Sequence, residues 1–149
     1  MSAQGKTGDL HGLVERRLHR VDQRYTTGRR AIIDLLAGAG HPVSIGDIAE
    51  GLPGLPRSSA YRHLVDLQTA GIVRRVTTGD EHTRFELAED LTGHHHHLLC
   101  TKCGKVTDVT LPAGFEQDVA NAIGQLADAE SFEPHGHVLD VLGVCAACR

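Results

Sequence analysis

Residues 94–103 read His94-His95-His96-His97-Leu98-Leu99-Cys100-Thr101-Lys102-Cys103: four histidines, two leucines, then a Cys-x-x-Cys pair. A second pair, Cys145 and Cys148, lies at the far end of the chain, and the 149 residues hold no other cysteine. A Cys-x-x-Cys turn lets two thiolates reach one cation, and two such turns complete a tetrahedral shell with no open position for chemistry. Cys100, Cys103, Cys145 and Cys148 therefore predict one structural zinc site. In a reducing compartment paired cysteines hold metal rather than form disulfides, a secreted disulfide scaffold being the alternative. Met1 to Leu10 lack the apolar stretch of a signal peptide, and no run approaches the roughly 18 apolar residues that span a membrane, so a cytoplasmic location is expected.

An extended His94–His97 would send alternate imidazoles to opposite faces, grouping His95 with His97 and His94 with His96. Two further metal sites are then possible beside the thiolate site. Beyond Cys103, Lys105 to Leu111 alternates as a strand. Pro112 opens a helix with Phe115, Val119, Ala122, Ile123 and Leu126 along one side, and His137 to Leu142 reads as another strand. So small a strand–helix–strand unit leaves a sheet edge and an apolar helix face uncovered, and pairing with a second copy covers both. A homodimer is expected.

Toward the N-terminus, residues 1–90 carry twelve Lys/Arg and twelve Asp/Glu, whereas residues 91–149 carry three and seven. Arg16, Arg17, Arg20, Arg24, Arg29 and Arg30 cluster with Asp22 alone as counter-charge, a local basic face that can meet phosphates in a chain of net charge −4. Helices are expected over Leu10 to Leu18, from Arg30 to Ala37 with a stop at Gly38, from a Ser44/Asp47 capping box to about Gly51, and from Arg57 to Ala70 before Gly71. The second should bury Ile32, Ile33, Leu35 and Leu36, and the fourth Leu64, Val65 and Leu67. Strands follow at Ile72 to Val76 and Thr83 to Leu87, joined by a polar hairpin through Thr77–His82.

Short helices followed by a two-stranded hairpin is the order of a winged helix, whose last helix enters the DNA major groove. The fold class expected is α+β: a winged-helix DNA-binding domain over 1–90, a hinge at 91–93 and a small metal-binding dimerisation domain over 94–149. Ser58, Ser59, Tyr61 and Arg62 would face double-stranded DNA, with Arg29 just ahead of the second helix and Arg74 and Arg75 on the wing. A hydrolase or deaminase would need an open metal position and a carboxylate base, which four thiolates do not leave, so no enzyme is expected. A storage protein or metallochaperone would have no use for a basic helix and wing.

Together Tyr25-Thr26-x-x-Arg29, Ser59-Ala60-Tyr61-Arg62-x-Leu64, Ala70-Gly71-Ile72-Val73 and His95-His96-His97-Leu98-Leu99-Cys100-x-x-Cys103-Gly104-Lys105-Val106, closed by Cys145-x-x-Cys148, resemble the ferric uptake regulator family of metal-responsive bacterial repressors. The resemblance implies a hinge-side sensing site at His41, Glu86, His95, His97 and Asp108, and a second metal site at His94, His96, Glu116 and His137. It implies a repressor of metal homeostasis genes that binds palindromic operators as a homodimer. The ligand types suit iron(II), manganese(II) and zinc(II) alike; an iron(II)-responsive repressor is the reading the resemblance implies first and a zinc-responsive one second, with manganese, nickel or peroxide response as further alternatives. Three departures from the family pattern stand out. His96 replaces a common aspartate, Leu91-Thr92-Gly93 lengthens the spacer after Glu86, and no wing cysteine is present near Ala88.

Overall fold

The computed structural model describes residues 4–77 and 83–149. The expected hairpin connection falls largely on 78–82, outside the described residues. The order is α1 (Gln4–Arg20), α2 (Thr27–Ala39), β1 (Val43–Ser44), α3 (Ile45–Gly51), α4 (Arg57–Thr69), β2 (Val73–Thr77), β3 (Thr83–Leu87), α5 (Glu89–Thr92), β4 (His96–Cys100), β5 (Val106–Val109), α6 (Ala113–Glu130), β6 (Asp140–Gly143) and a 3-10 turn at Ala146–Cys148.

In the N-terminal half, α2 begins where the Thr26 hydroxyl accepts from the Arg29 amide, satisfying a donor that the helix cannot. It does not stop at Gly38. Ala39 continues the face that packs on the core, and the reversal falls at Gly40, where φ of 66° suits a residue without a Cβ. Ser44 and Asp47 make the expected capping box, each side chain bonding the other's backbone amide at the start of α3. Along α4, Ala60, Leu64 and Leu67 share the inward face, while Val65 is 58% exposed. One residue past Leu64 is a turn of about 100°, which carries Val65 off the buried side. Likewise Leu35 is only partly buried beside Ile32, Ile33 and Leu36.

These helices cover a three-stranded antiparallel sheet of order β1-β3-β2. The two-residue β1 was not anticipated from the sequence, being too short for any alternation to show. Val14 and Leu18 from α1 join Ile32, Ile33, Leu36, Ile48, Leu64, Leu67, Ile72, Phe85 and Leu87 in one core. At about 1.5–3 kcal/mol for each large apolar side chain withdrawn from water, this aliphatic cluster is the main source of stability in this half.

The chain then turns through α5, a single helical turn that absorbs Leu91 and Thr92 of the expected hinge; Leu91 packs against the core. Only Gly93, at φ 99°, remains as a pivot residue between α5 and the histidines. The second sheet runs β5-β4-β6, with β4 antiparallel to β5 and parallel to β6. Its cover is thin. Leu99, Cys100, Val106 and Ala127 are its buried apolar members, while Phe115 and Leu126 of α6 and Val141 and Leu142 of β6 face outward.

Candidate metal centres

The β4/β6 register places Cys100 beside Gly143, and the Thr101 amide donates to the Gly143 carbonyl at 2.8 Å, so the second cysteine pair arrives next to the first. A tight turn from Cys100 to Lys105 folds Cys103 back. All four sulfurs lie within 4.8 Å of one another, with Cys103 Sγ and Cys145 Sγ 3.7 Å apart and unbonded. The S···S edge of a tetrahedron with Zn–S near 2.3 Å is about 3.8 Å, so these residues fit a structural zinc ion. The four thiols are not equivalent. The Cys145 amide donates to Cys100 Sγ and lowers that thiol to about 6, while hydrogen bonding with Cys103 and Cys145 pushes Cys148 up to about 12.

The histidines alternate as the extended backbone requires. His95 and His97 meet Glu86 from β3 and Asp108 from β5, the four ligand atoms lying within 4.8 Å of one another. His95 Nε2 and His97 Nε2 each stand 3.1 Å from Glu86 Oε2, and His97 Nε2 is 3.7 Å from Asp108 Oδ1. Asp108 Oδ1 is buried with no hydrogen-bond partner among the described residues, an acceptor that a cation would satisfy. Burial pushes the Glu86 carboxyl up, but hydrogen bonds from His97 and His95 and the Arg74 guanidinium outweigh it and hold it at about 2. His97 is correspondingly raised, first by its bond to Glu86.

His41 does not join this group. It lies on the wall of the same cavity, of about 270 Å³, together with Glu86, His95 and Asp108, but its Nδ1 sits 3.0 Å from the carbonyl oxygen of the adjacent Pro42.

On the opposite face, His94, His96, Glu116 and His137 also lie within 4.8 Å of one another. His96 Nε2 is 2.6 Å from Glu116 Oε1, His94 Nε2 is 3.2 Å from Glu116 Oε2, and His137 Nε2 is buried 3.5 Å from Glu116 Oε2 with no hydrogen bond among the described residues. His135 lines the same cleft. Both histidine clusters thus carry a buried orphaned atom and a donor set suited to a divalent cation.

Three residues were not assigned to these sites from the sequence. Asp140 Oδ1 lies 3.0 Å from His97 Nδ1, Glu89 pairs with His94 Nδ1, and Arg74 pairs with Glu86 Oε1. Asp140 was visible as a lone acid in an apolar strand. The other two depend on strand pairing and on α5.

Of the residues expected at DNA, Ser58 and Arg62 are exposed, Ser59 is half-buried with its hydroxyl 3.4 Å from Arg62, and Tyr61 is 47% exposed. Arg75 is exposed and donates to the Thr83 hydroxyl. Two expectations need correction. Arg29 is only 6% exposed, donating to the Arg24 carbonyl, to Gln23 and, at 2.5 Å, to Asp66 Oδ2; it ties α2 to α4. Arg74 lies opposite Glu86 in the β2/β3 register and turns toward the metal cluster, away from the role given to it on the wing.

A winged helix joined to a thiolate-stapled sheet, with one ligand cluster drawn from both, defines the class of metal-binding winged-helix regulators. The model of the ferric uptake regulator family matches residues 20–141. A peroxide-responsive repressor of Staphylococcus epidermidis is 31% identical over 138 residues, covering 89% of this chain and 85% of that protein. The crystal structure of the Vibrio cholerae ferric uptake regulator superposes with a TM-score of 0.69 at 25% identity, covering 88% of this chain and 98% of that one. The Helicobacter pylori ferric uptake regulator shares the fold at a TM-score of 0.73 and 19% identity, covering 95% and 92%. The chain belongs to the ferric uptake regulator family, a family of metal-binding, DNA-binding transcriptional regulators.

Proposed function

We propose that this protein is a homodimeric, metal-dependent repressor of metal homeostasis genes. Its zinc at Cys100, Cys103, Cys145 and Cys148 is structural. Its regulatory ion is iron(II), held by Glu86, His95, His97 and Asp108 with His41 at the cavity wall. The observation that carries the reading is the origin of those ligands. Glu86 comes from the strand that pairs with the wing strand β2, and His95, His97 and Asp108 come from the C-terminal sheet.

An ion bridging them would fix the angle between residues 1–90 and 94–149 about Gly93, setting two copies of α4 to the spacing of a palindromic operator. Ser58, Ser59, Tyr61, Arg62 and Arg75 are the contacts proposed there. His94, His96, Glu116 and His137 would take a further divalent ion that braces α6 on the sheet.

Two imidazoles with two carboxylates suit iron(II), manganese(II) and zinc(II), so affinity order alone does not rank iron first. Anaerobic native mass spectrometry combined with operator-binding anisotropy tests the proposal. One chelator-resistant zinc per chain, reversible uptake of further metal, and DNA binding lost in His97→Ala are expected. A metal response unchanged in His97→Ala would overturn it. A second reading, peroxide response, is favoured by the Staphylococcus epidermidis relative. It predicts that peroxide added to the iron(II)-loaded protein releases DNA together with a mass gain on a peptide carrying His95 or His97, which zinc loading prevents.

A further inference from the structure

His97 stands on the central strand of its sheet with an aspartate directly across from it on both sides. Asp108 is its partner on β5 and Asp140 its partner on β6. Cross-strand neighbours in register project from the same face, so the three side chains form one row, acid–imidazole–acid. The two acids meet different ring atoms. Asp108 lies 3.7 Å from Nε2, the atom that also faces Glu86, whereas Asp140 lies 3.0 Å from Nδ1 on the other edge of the ring.

His97 is 3% exposed, leaving its ring little access to water as an alternative partner. Asp140 is outside the group of four whose ligand atoms converge, so it is placed to hold the ring rather than to share the ion. A metal-binding imidazole whose remote N–H is given to a carboxylate is fixed in tautomer and orientation, and its ligating nitrogen becomes more basic.

We propose that Asp140 is a positioning residue that locks His97 with its proton on Nδ1 and its Nε2 lone pair directed into the Glu86–His95–Asp108 cluster. The proposal rests on the sensing role given to that cluster above. It also ties the two metal centres together. Asp140 opens β6, and the chain leaves that strand at Gly143 to reach Cys145, whose amide donates to Cys100 Sγ at 3.3 Å. The thiolate site thereby fixes the register that brings Asp140 to His97.

The test uses the full-length zinc-loaded dimer titrated anaerobically with cobalt(II), read by its visible absorption bands and by competition with a chelating indicator. Asp140→Ala should weaken cobalt binding by roughly 10–100-fold, the usual loss on removing such a partner, and Asp140→Asn, which still accepts from Nδ1–H, should lose less. Structural zinc content should not change.

In a His97→Ala background the further change Asp140→Ala should cost nothing, because a residue acting through His97 has nothing left to act on. Nitrogen-15 histidine spectra should show the His97 Nδ1–H signal in the parent and its loss or shift in Asp140→Ala. Unchanged cobalt affinity in Asp140→Ala, or an equal loss with and without His97, would overturn the assignment. Cobalt affinity unchanged in His97→Ala itself would instead remove the sensing reading on which it rests.

Discussion

At the scale of single residues, Glu86 holds the metal-free cluster together. It is buried at 7% exposure and accepts from His95, His97 and Arg74. Its carboxyl lies at about 2 in the folded chain against an ordinary 4.5, so its contribution is complete above pH 4.5 and disappears as pH falls toward 2. His97 shifts the other way. Its folded value is raised above 6.5, so its contribution is complete below that and disappears as pH rises through the raised value.

The two windows overlap between about pH 4.5 and 6.5, where Glu86 is charged and His97 is protonated. Chelated protein that keeps its structural zinc should therefore melt higher at pH 5.5 than at pH 8. Glu86→Gln should flatten that difference and cost on the order of 3 kcal/mol at pH 5.5, the equivalent of the carboxyl's displacement. Circular dichroism melts at the two pH values provide the check. A parent melting point that rises from pH 5.5 to pH 8 would contradict the cluster's ionisation.

Arg29 belongs to the same scale and shows where reading the sequence stops. Its place in Tyr25-Thr26-x-x-Arg29 was legible, but not that its guanidinium would be buried against Asp66, 37 residues away. Arg29→Ala leaves the Asp66 carboxylate without its partner. Because the Asp66 side chain is 35% exposed and can be rehydrated, stability should fall by about 1–3 kcal/mol, while the operator affinity of the folded fraction stays near the parent's. Urea titration and anisotropy on the same sample separate the two effects. A normal unfolding midpoint with a weakened operator complex would return Arg29 to the DNA surface.

Among the elements, helix α4 and the histidine run that leads into β4 show why parts of the fold were readable. Both depend on local periodicity. From His94 into β4 the period of two sorted the four histidines onto their faces, and in α4 the period of 3.6 gave Leu64 and Leu67 to the core. The helical step past Leu64 also placed Val65 outside, whereas β1, α5 and the termination at Gly40 were decided by neighbours in space rather than along the chain, and no local pattern announces such contacts. Asp140 is the clearest case. Its partner depends on a parallel register between strands separated by a turn, a strand and a helix.

The prediction at this scale concerns α4. Arg62 is exposed on its first turns, bonded only to Ser59 at 3.4 Å among the described residues. Arg62→Ala should weaken operator binding by roughly 1–3 kcal/mol while leaving metal uptake and melting temperature unchanged. Anisotropy at fixed salt reads the first, and equal affinity in the variant would place the reading face elsewhere on the molecule.

For the whole molecule, the question is what covers the C-terminal half. The N-terminal core is built within one chain, but among the described residues the second sheet ends in two unpaired edges, β5 and β6. Helix α6 turns Phe115 and Leu126 outward, and Phe132, Val138, Val141 and Leu142 are exposed in the segment that follows. So much apolar surface in a chain with only 3% aromatic residues is a large share of what it has to bury.

A second copy related by a two-fold axis would meet this surface with the same surface, hiding both apolar faces at once. Leu126, at 67% exposure, contributes little to a lone chain, so Leu126→Glu should leave the monomer fold and its zinc intact. It should nevertheless shift the protein from dimer to monomer in light scattering at micromolar concentration, and abolish binding to a palindromic operator while a single half-site is still bound weakly. A variant that remains dimeric with full operator affinity would show that α6 is not where the two copies meet, and would leave the edges of β5 and β6 as the surfaces that join them.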